Sequence, residues 1–234
     1  MIDLSDANLL LDLHKEGVLC AEEALKIHER LGDTVEQAWC LIKLAWLLHG
    51  DKQPGAAKEA ASRALNLFPE KGRESQVCSC HRVLGSIHRS EGEIEKAIHH
   101  YETALEIASP FGWDDRLFWT HRDLAKLFFD QGKFDDANAH VERAKSHTHN
   151  IAYYLATATD LQARVWYKQD RFDEAKSEAL CAADGFKKLG ATERAEVTRK
   201  LLQRIEAAAD EGKPLEMVLL LTRTDFPSSA QGTK

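Results

Sequence analysis

Small residues recur along this chain at fixed separations, with apolar residues around them. Gly85, Ala97 and Ala104 are spaced by 12 and 7 positions, and so are Ala45, Ala57 and Ala64. The same spacings return at Ala125, Ala137 and Ala144, and at Ala163, Ala175 and Ala182. Successive copies begin 40, 40 and 38 residues apart. A period of several tens of residues is the signature of stacked supersecondary units. Two antiparallel helices per unit account for the spacing, because small side chains are needed where helices cross closely and apolar neighbours fill the gap. Helix breakers fall where that reading needs them. The stretches Gly50 to Gly55, Ser90 to Gly92, Asp130 to Gly132 and Gln169 to Arg171 turn the chain inside a unit, while Pro69 with Gly72 and Pro110 with Gly112 separate units.

Upstream, Ala21, Ala24, Leu25 and Ile27 copy the second helix of a unit, matching Ala61, Ala64, Leu65 and Leu67, but the segment before Gly17 is short for a full first helix. The predicted organisation is a repeat domain over residues 1–212, with units at about 1–33, 34–72, 73–112, 113–150 and 151–190. A cap helix over 191–212 is expected to cover the last apolar face. A tail follows over 213–234, an apolar segment from Leu215 and then a polar end from Pro227. The apolar part is expected to dock on the cap helix or to enter a neighbouring copy and drive self-association.

The small-residue spacing, with Tyr101 or Val141 before the last small position, resembles the tetratricopeptide repeat family over roughly residues 15 to 188. The resemblance implies an all-α fold, a right-handed superhelical solenoid of antiparallel helix pairs. The long repeats, closed by Arg30-Leu31-Gly32-Asp33 and Lys188-Leu189-Gly190-Ala191, look like the 40-residue subtype found in sensor arms of signalling NTPases. The wording of Ala64 to Gly72 and of Glu95 to Leu105 is similar to the C-terminal repeat arrays of fungal NOD-like (NACHT/STAND) proteins. A nucleotide-binding motor is not written here. Gly50 and Gly55 have P-loop separation, but Ala56 and Ala57 stand where the motif needs Lys and Ser/Thr.

Composition narrows the partners. With 31 Lys and Arg against 38 Asp and Glu, the net charge of −7 argues against a phosphate-driven nucleic-acid binder. Five scattered cysteines and no Asn-x-Ser/Thr acceptor suit a reducing compartment, so a cytoplasmic location is expected. The longest strongly apolar run, Met217 to Leu221, is too short to span a bilayer. Cys78-Ser79-Cys80-His81 is the most tempting metal cluster, with His88 beyond it. Inside a helix, residues two apart point to different sides, so Cys78 and Cys80 do not share one tetrahedral ion. No nucleophile elbow, dinucleotide fingerprint or Cys-x-x-Cys pair occurs, and pairs such as Asp114-Asp115 and Asp135-Asp136 read as helix starts. The expectation is a chain that is not an enzyme, with no catalytic residue, metal or cofactor.

The resemblance also implies a binding face. In the family, the first helix of each unit lines a concave groove, through positions six and three before and one and four after the small residue. Those positions hold Trp39, Ile42, Trp46 and His49, then Ser79, Arg82, Ser86 and Arg89. They continue with Trp119, Arg122, Lys126 and Phe129, and end with Thr157, Asp160, Arg164 and Tyr167. Gln162 interrupts the apolar pattern of Leu44, Leu84 and Leu124, so this last register is open to a one-residue shift. Cations and aromatics together suit an acidic, partly apolar protein segment, although the tryptophans fit equally well as packing between helices. Ile42 with Trp46 and Arg82 with Ser86 stand where chaperone-binding members hold a Lys-and-Asn clamp. The leading expectation is therefore a protein-binding scaffold in a regulatory system, with an oligomerisation module and an RNA-binding repeat as alternatives.

Overall fold

A computed structural model describes residues 14–68, 73–149 and 151–211. The expectations resting on the first thirteen residues, on Pro69 with Gly72, and on the tail from 213 lie outside the described residues. The described chain is helical throughout. In order run α1 (His14–Leu31), α2 (Thr34–Gly50), α3 (Pro54–Leu67), α4 (Glu74–Ser90), α5 (Ile94–Ala108), α6 (Asp114–Asp130), α7 (Phe134–Ser146), α8 (Ala152–Lys168), α9 (Phe172–Lys188) and α10 (Thr192–Glu211). A single 3-10 turn, Ser109–Phe111, follows α5. No described helix is long and apolar enough to cross a membrane. The helices fall into two compact units, the first running to Leu127 and the second starting at Phe128.

Local chemistry sets the helix ends. Asp33 caps α2 by accepting from the Glu36 N–H at 3.2 Å, and Pro54 occupies the first turn of α3, where a missing N–H costs nothing. The paired acids read from the sequence sit in first turns, Asp114 and Asp115 in α6 and Asp135 and Asp136 in α7, against the positive helix end. Each hairpin turn closes by the same bond between residues five apart. The N–H of Gln53 donates to the Leu48 carbonyl, Glu93 to His88, Lys133 to Phe128 and Arg171 to Trp166, each at 2.9 Å. The residue before each donor is left-handed: Lys52 (φ 60°), Gly92 (φ 77°), Gly132 (φ 71°) and Asp170 (φ 57°).

In the first unit, α1 to α4 bury one continuous core. Ala21 and Leu25 of α1, Leu41, Ala45 and Leu47 of α2, Ala57, Ala61 and Ala64 of α3, and Val83 and Ile87 of α4 meet there. The repeating small residues lie where helices cross, as close packing demands. Gly85 shows the limit of that demand: a Cβ there would stand 2.7 Å from the Tyr101 ring. In the second unit, Ala163, Ala175 and Ala179 of α8 and α9 pack against Leu201, Ile205 and Ala208 of α10. A smaller cluster joins Ala156, Ala182 and Phe186 to Ala195. Gln162 is fully buried here without breaking the packing. Its amide pairs with Asn138 at 2.5 Å. In the swapped orientation, which satisfies both its ends, its NH2 donates instead to Glu142 and its carbonyl accepts from the Trp166 indole N–H, each at 3.0 Å.

Candidate partner-binding face

The first helices of the first unit, α2, α4 and α6, bring together residues 36 or more positions apart in sequence. The Arg82 guanidinium on α4 lies between two indoles, 4.7 Å from the Trp46 ring centre on α2 and 5.8 Å from that of Trp119 on α6. Arg122, one turn along α6, stacks on the same Trp119 at 5.1 Å. The result is an alternating row of aromatic, cation, aromatic, cation, in which each charge rests on a ring face.

One carboxylate holds the row in place. Asp123 is 2.9 Å from the Arg122 NH1 and 3.7 Å from the Arg82 Nε, with only 8% of its side chain exposed. Arg82 and Arg122 keep 21% and 19% of their side chains exposed. Burial lowers the Arg82 pKa from its ordinary value, and Asp123 works in the opposite direction. These arginines are thus anchored groups with one accessible edge rather than solvated charges, which sharpens geometry at the expense of reach. Sequence reasoning missed Asp123. The register two before the small residue gave only a mixed signal, since it holds buried Val83 and Leu161 but also the partly exposed Lys43.

Further cations border the row. Arg89 and Lys126 lie close enough to His49 to lower its pKa, behind burial as the main cause, while Asp123 and Glu91 oppose them. The Arg116 guanidinium donates to Ser75 Oγ at 3.0 and 3.3 Å, tying the start of α6 to α4. Trp39 and Trp46 are half-buried against the core, so they pack and present surface together.

Four residues expected on the face are buried instead, Ser86 and Thr157 at 5% exposure among them. Ile42 is 3% exposed and belongs to the core, although Arg82 and Arg122 at the same register, three before the small residue, each keep an accessible edge. Tyr167 is 8% exposed and packs in the core with Phe172. Burial there raises its phenol pKa. In the second unit, Phe129 packs edge-on to Phe134 at 5.8 Å. Arg164 is closed onto Asp160 by hydrogen bonds of 2.8 and 3.4 Å, and Asp160 also accepts from Thr198 of α10 at 2.8 Å. The cation row is therefore a property of the first unit. Cys78 and Cys80 diverge as helix geometry requires: Cys78 donates to the Ala104 carbonyl at 3.3 Å, and Cys80 enters the other core cluster.

A model of the tetratricopeptide repeat family matches residues 77–146. Among solved structures, aspartyl phosphate phosphatase F from Bacillus subtilis superposes with a TM-score of 0.75 at 18% identity, covering 94% of this chain. The chain spans only 58% of that protein's length. BtubC (BKLC) from P. vanneervenii gives 0.62 at 16% identity, covering 94% of this chain and 96% of its own. A Rap protein complexed with competence and sporulation factor also gives 0.62, at 15% identity over 90% of this chain and 64% of that one. No curated protein sequence matches. The fold is a tetratricopeptide-like helical repeat.

Proposed function

We propose that the chain is a non-catalytic protein-interaction scaffold whose first unit holds an acidic, partly apolar segment of a partner on α2, α4 and α6. The observation that carries this reading is the row of Trp46, Arg82, Trp119 and Arg122 fixed by Asp123. Flat indoles offer apolar area, and guanidinium edges offer paired donors for a carboxylate. Trp39, Arg89 and Lys126 extend the surface. A Rap protein of similar fold is known in complex with competence and sporulation factor, which supports binding as the use of such a fold. The resemblance of the 40-residue units to sensor arms of signalling NTPases supports a role as the sensing or assembly arm of a regulatory system, acting on proteins rather than nucleic acid.

The test is a panel of labelled peptides, acidic with aromatic or aliphatic residues against charge-reversed and all-polar versions, followed by anisotropy and by indole fluorescence. Acidic-apolar peptides are expected to bind, with affinity falling as salt rises. Lys126→Glu, which leaves the Arg82–Asp123–Arg122 group intact, should weaken binding at least tenfold, or about 1.4 kcal/mol. Equal binding by charge-reversed peptides, or an unchanged affinity in Lys126→Glu, would remove the proposal.

A further inference from the structure

Where α4 turns into α5, a second group of side chains lies apart from the aromatic row. His88 is 4% exposed in the last turn of α4. Its Nδ1 is 2.5 Å from Glu93 Oε2 and 3.6 Å from Glu91 Oε2. The donor atoms of these three residues all lie within 4.8 Å of one another. One imidazole nitrogen and two carboxylate oxygens, each needing to sit about 2.0–2.2 Å from a shared ion, make a donor set that zinc-type cations accept, with water completing the shell.

The turn holds these groups together. The Glu91 N–H donates to the Ile87 carbonyl at 3.0 Å and the Glu93 N–H to the His88 carbonyl at 2.9 Å, so the backbone carrying both carboxylates is closed on the helix carrying the imidazole. The His88 ring is also oriented, lying 7° from parallel to His100 of α5 with centres 5.2 Å apart. His100 in turn meets His81 through an Nδ1–Nδ1 contact of 3.0 Å. Lys96, and after it His88, hold the Glu93 carboxyl down to about 2, so it stays ionised. The charge of the glutamates is balanced by Lys96 at 2.8 Å from Glu93, and by Lys58 at 3.5 and 4.0 Å from Glu91 and Glu93. Lys96 is exposed and Lys58 partly so, and an ammonium open to solvent gives up such a pair at little cost.

We propose that His88, Glu91 and Glu93 form a site for one divalent transition-metal ion of the zinc type, which pins the turn between α4 and α5. The nitrogen donor selects against magnesium and calcium, which take oxygen ligands. Lys58, Lys96 and the proton shared by His88 Nδ1 and Glu93 Oε2 are the competitors that such an ion displaces.

The experiment is calorimetric titration of the full chain with zinc chloride in millimolar magnesium, paired with thermal melts. One equivalent should bind, and the melting temperature should rise with zinc. The double variant Glu91→Gln with Glu93→Gln changes groups outside the core, and its fold is checked by circular dichroism. It should lose at least tenfold in zinc affinity. Lys58→Ala should gain severalfold by removing a competing cation. His147→Asn with His149→Asn, at the end of α7, should change nothing. Zinc retained by the Glu91/Glu93 double variant would place the ion elsewhere, for instance on the exposed Cys181, and overturn the proposal. Absence of one-equivalent binding, or equal binding of magnesium, would overturn it as well.

Discussion

The Tyr101 ring fills the space that a side chain on Gly85 would occupy: a Cβ there would approach Cε1 to 2.7 Å and Cδ1 to 2.8 Å. The ring has no exit, since it is fully buried and its hydroxyl is bonded to Ser86 Oγ at 3.0 Å. Gly85→Ala should therefore destabilise the protein by about 1–3 kcal/mol through overpacking. In the other units the same two positions read Ala45 with Ala61, Ala125 with Val141 and Ala163 with Ala179. Adding Tyr101→Val to Gly85→Ala should thus cost less than the sum of the two single changes in urea denaturation. Additive losses would contradict the pairing.

The hairpin turns give a second expectation. Four equivalent positions adopt positive φ, but only Gly92 and Gly132 are glycine, whereas Lys52 and Asp170 carry a Cβ into the left-handed region. That region costs an L-residue roughly 1–2 kcal/mol, offset in part by the entropy glycine adds to the unfolded chain. Lys52→Gly and Asp170→Gly should each stabilise the protein by about 0.5–1 kcal/mol, read as a higher urea midpoint, and Gly92→Ala should lower the midpoint.

Asp123 is the common counter-charge of Arg82 and Arg122. Asp123→Asn leaves two largely buried cations facing each other. Breaking a fully buried pair costs about 3–5 kcal/mol, and the accessible edges of these arginines reduce that to about 2–3 kcal/mol. The loss should be visible in chemical denaturation at neutral pH. If the midpoint stays at the wild-type value, the carboxylate does not hold the row.

Acid sensitivity should appear in two steps. His100 has its pKa lowered to about 4, by burial first and then by His81, His88 and His99. His140, stacked on Phe128, is also lowered to about 4, mainly by burial. In the unfolded chain these groups titrate near 6.5, so between the two values the unfolded state binds more protons and stability falls as pH falls. Glu93, lowered to about 2, adds its own loss only below its unfolded value of 4.5. Urea midpoints should decline from pH 7 to pH 5, and His100→Asn with His140→Asn should flatten that decline while leaving the lower step in place. An unflattened decline would assign it to other groups.

The helix pairs were legible in the sequence because the crossings admit only small residues: Ala45, Ala125 and Ala163 are all fully buried. The surface was read less well, since register alone does not say which flank of a helix is covered by its neighbours. Trp46, Arg82, Trp119 and Arg122 share one face, but Ile42 and Tyr167 turn into the core. Asp123 escaped notice because its role depends on Arg82, 41 residues away. Gln162 read as a fault in an apolar pattern, yet its amide is satisfied by Glu142 and Trp166, which no local pattern announces. Likewise, Glu91 and Glu93 read as turn residues until the closed turn set them beside His88.

Chains built from near-identical units risk pairing the wrong copies, because a shift by one period leaves most contacts chemically plausible. Tyr101 removes that freedom here. A slip of one unit in either direction would press its ring against the methyl group of Ala45 or Ala125 and leave Gly85 facing a void beside Ala61 or Val141. A single large side chain matched to a single missing one thus acts as a key that admits one alignment of the repeats and rejects the others.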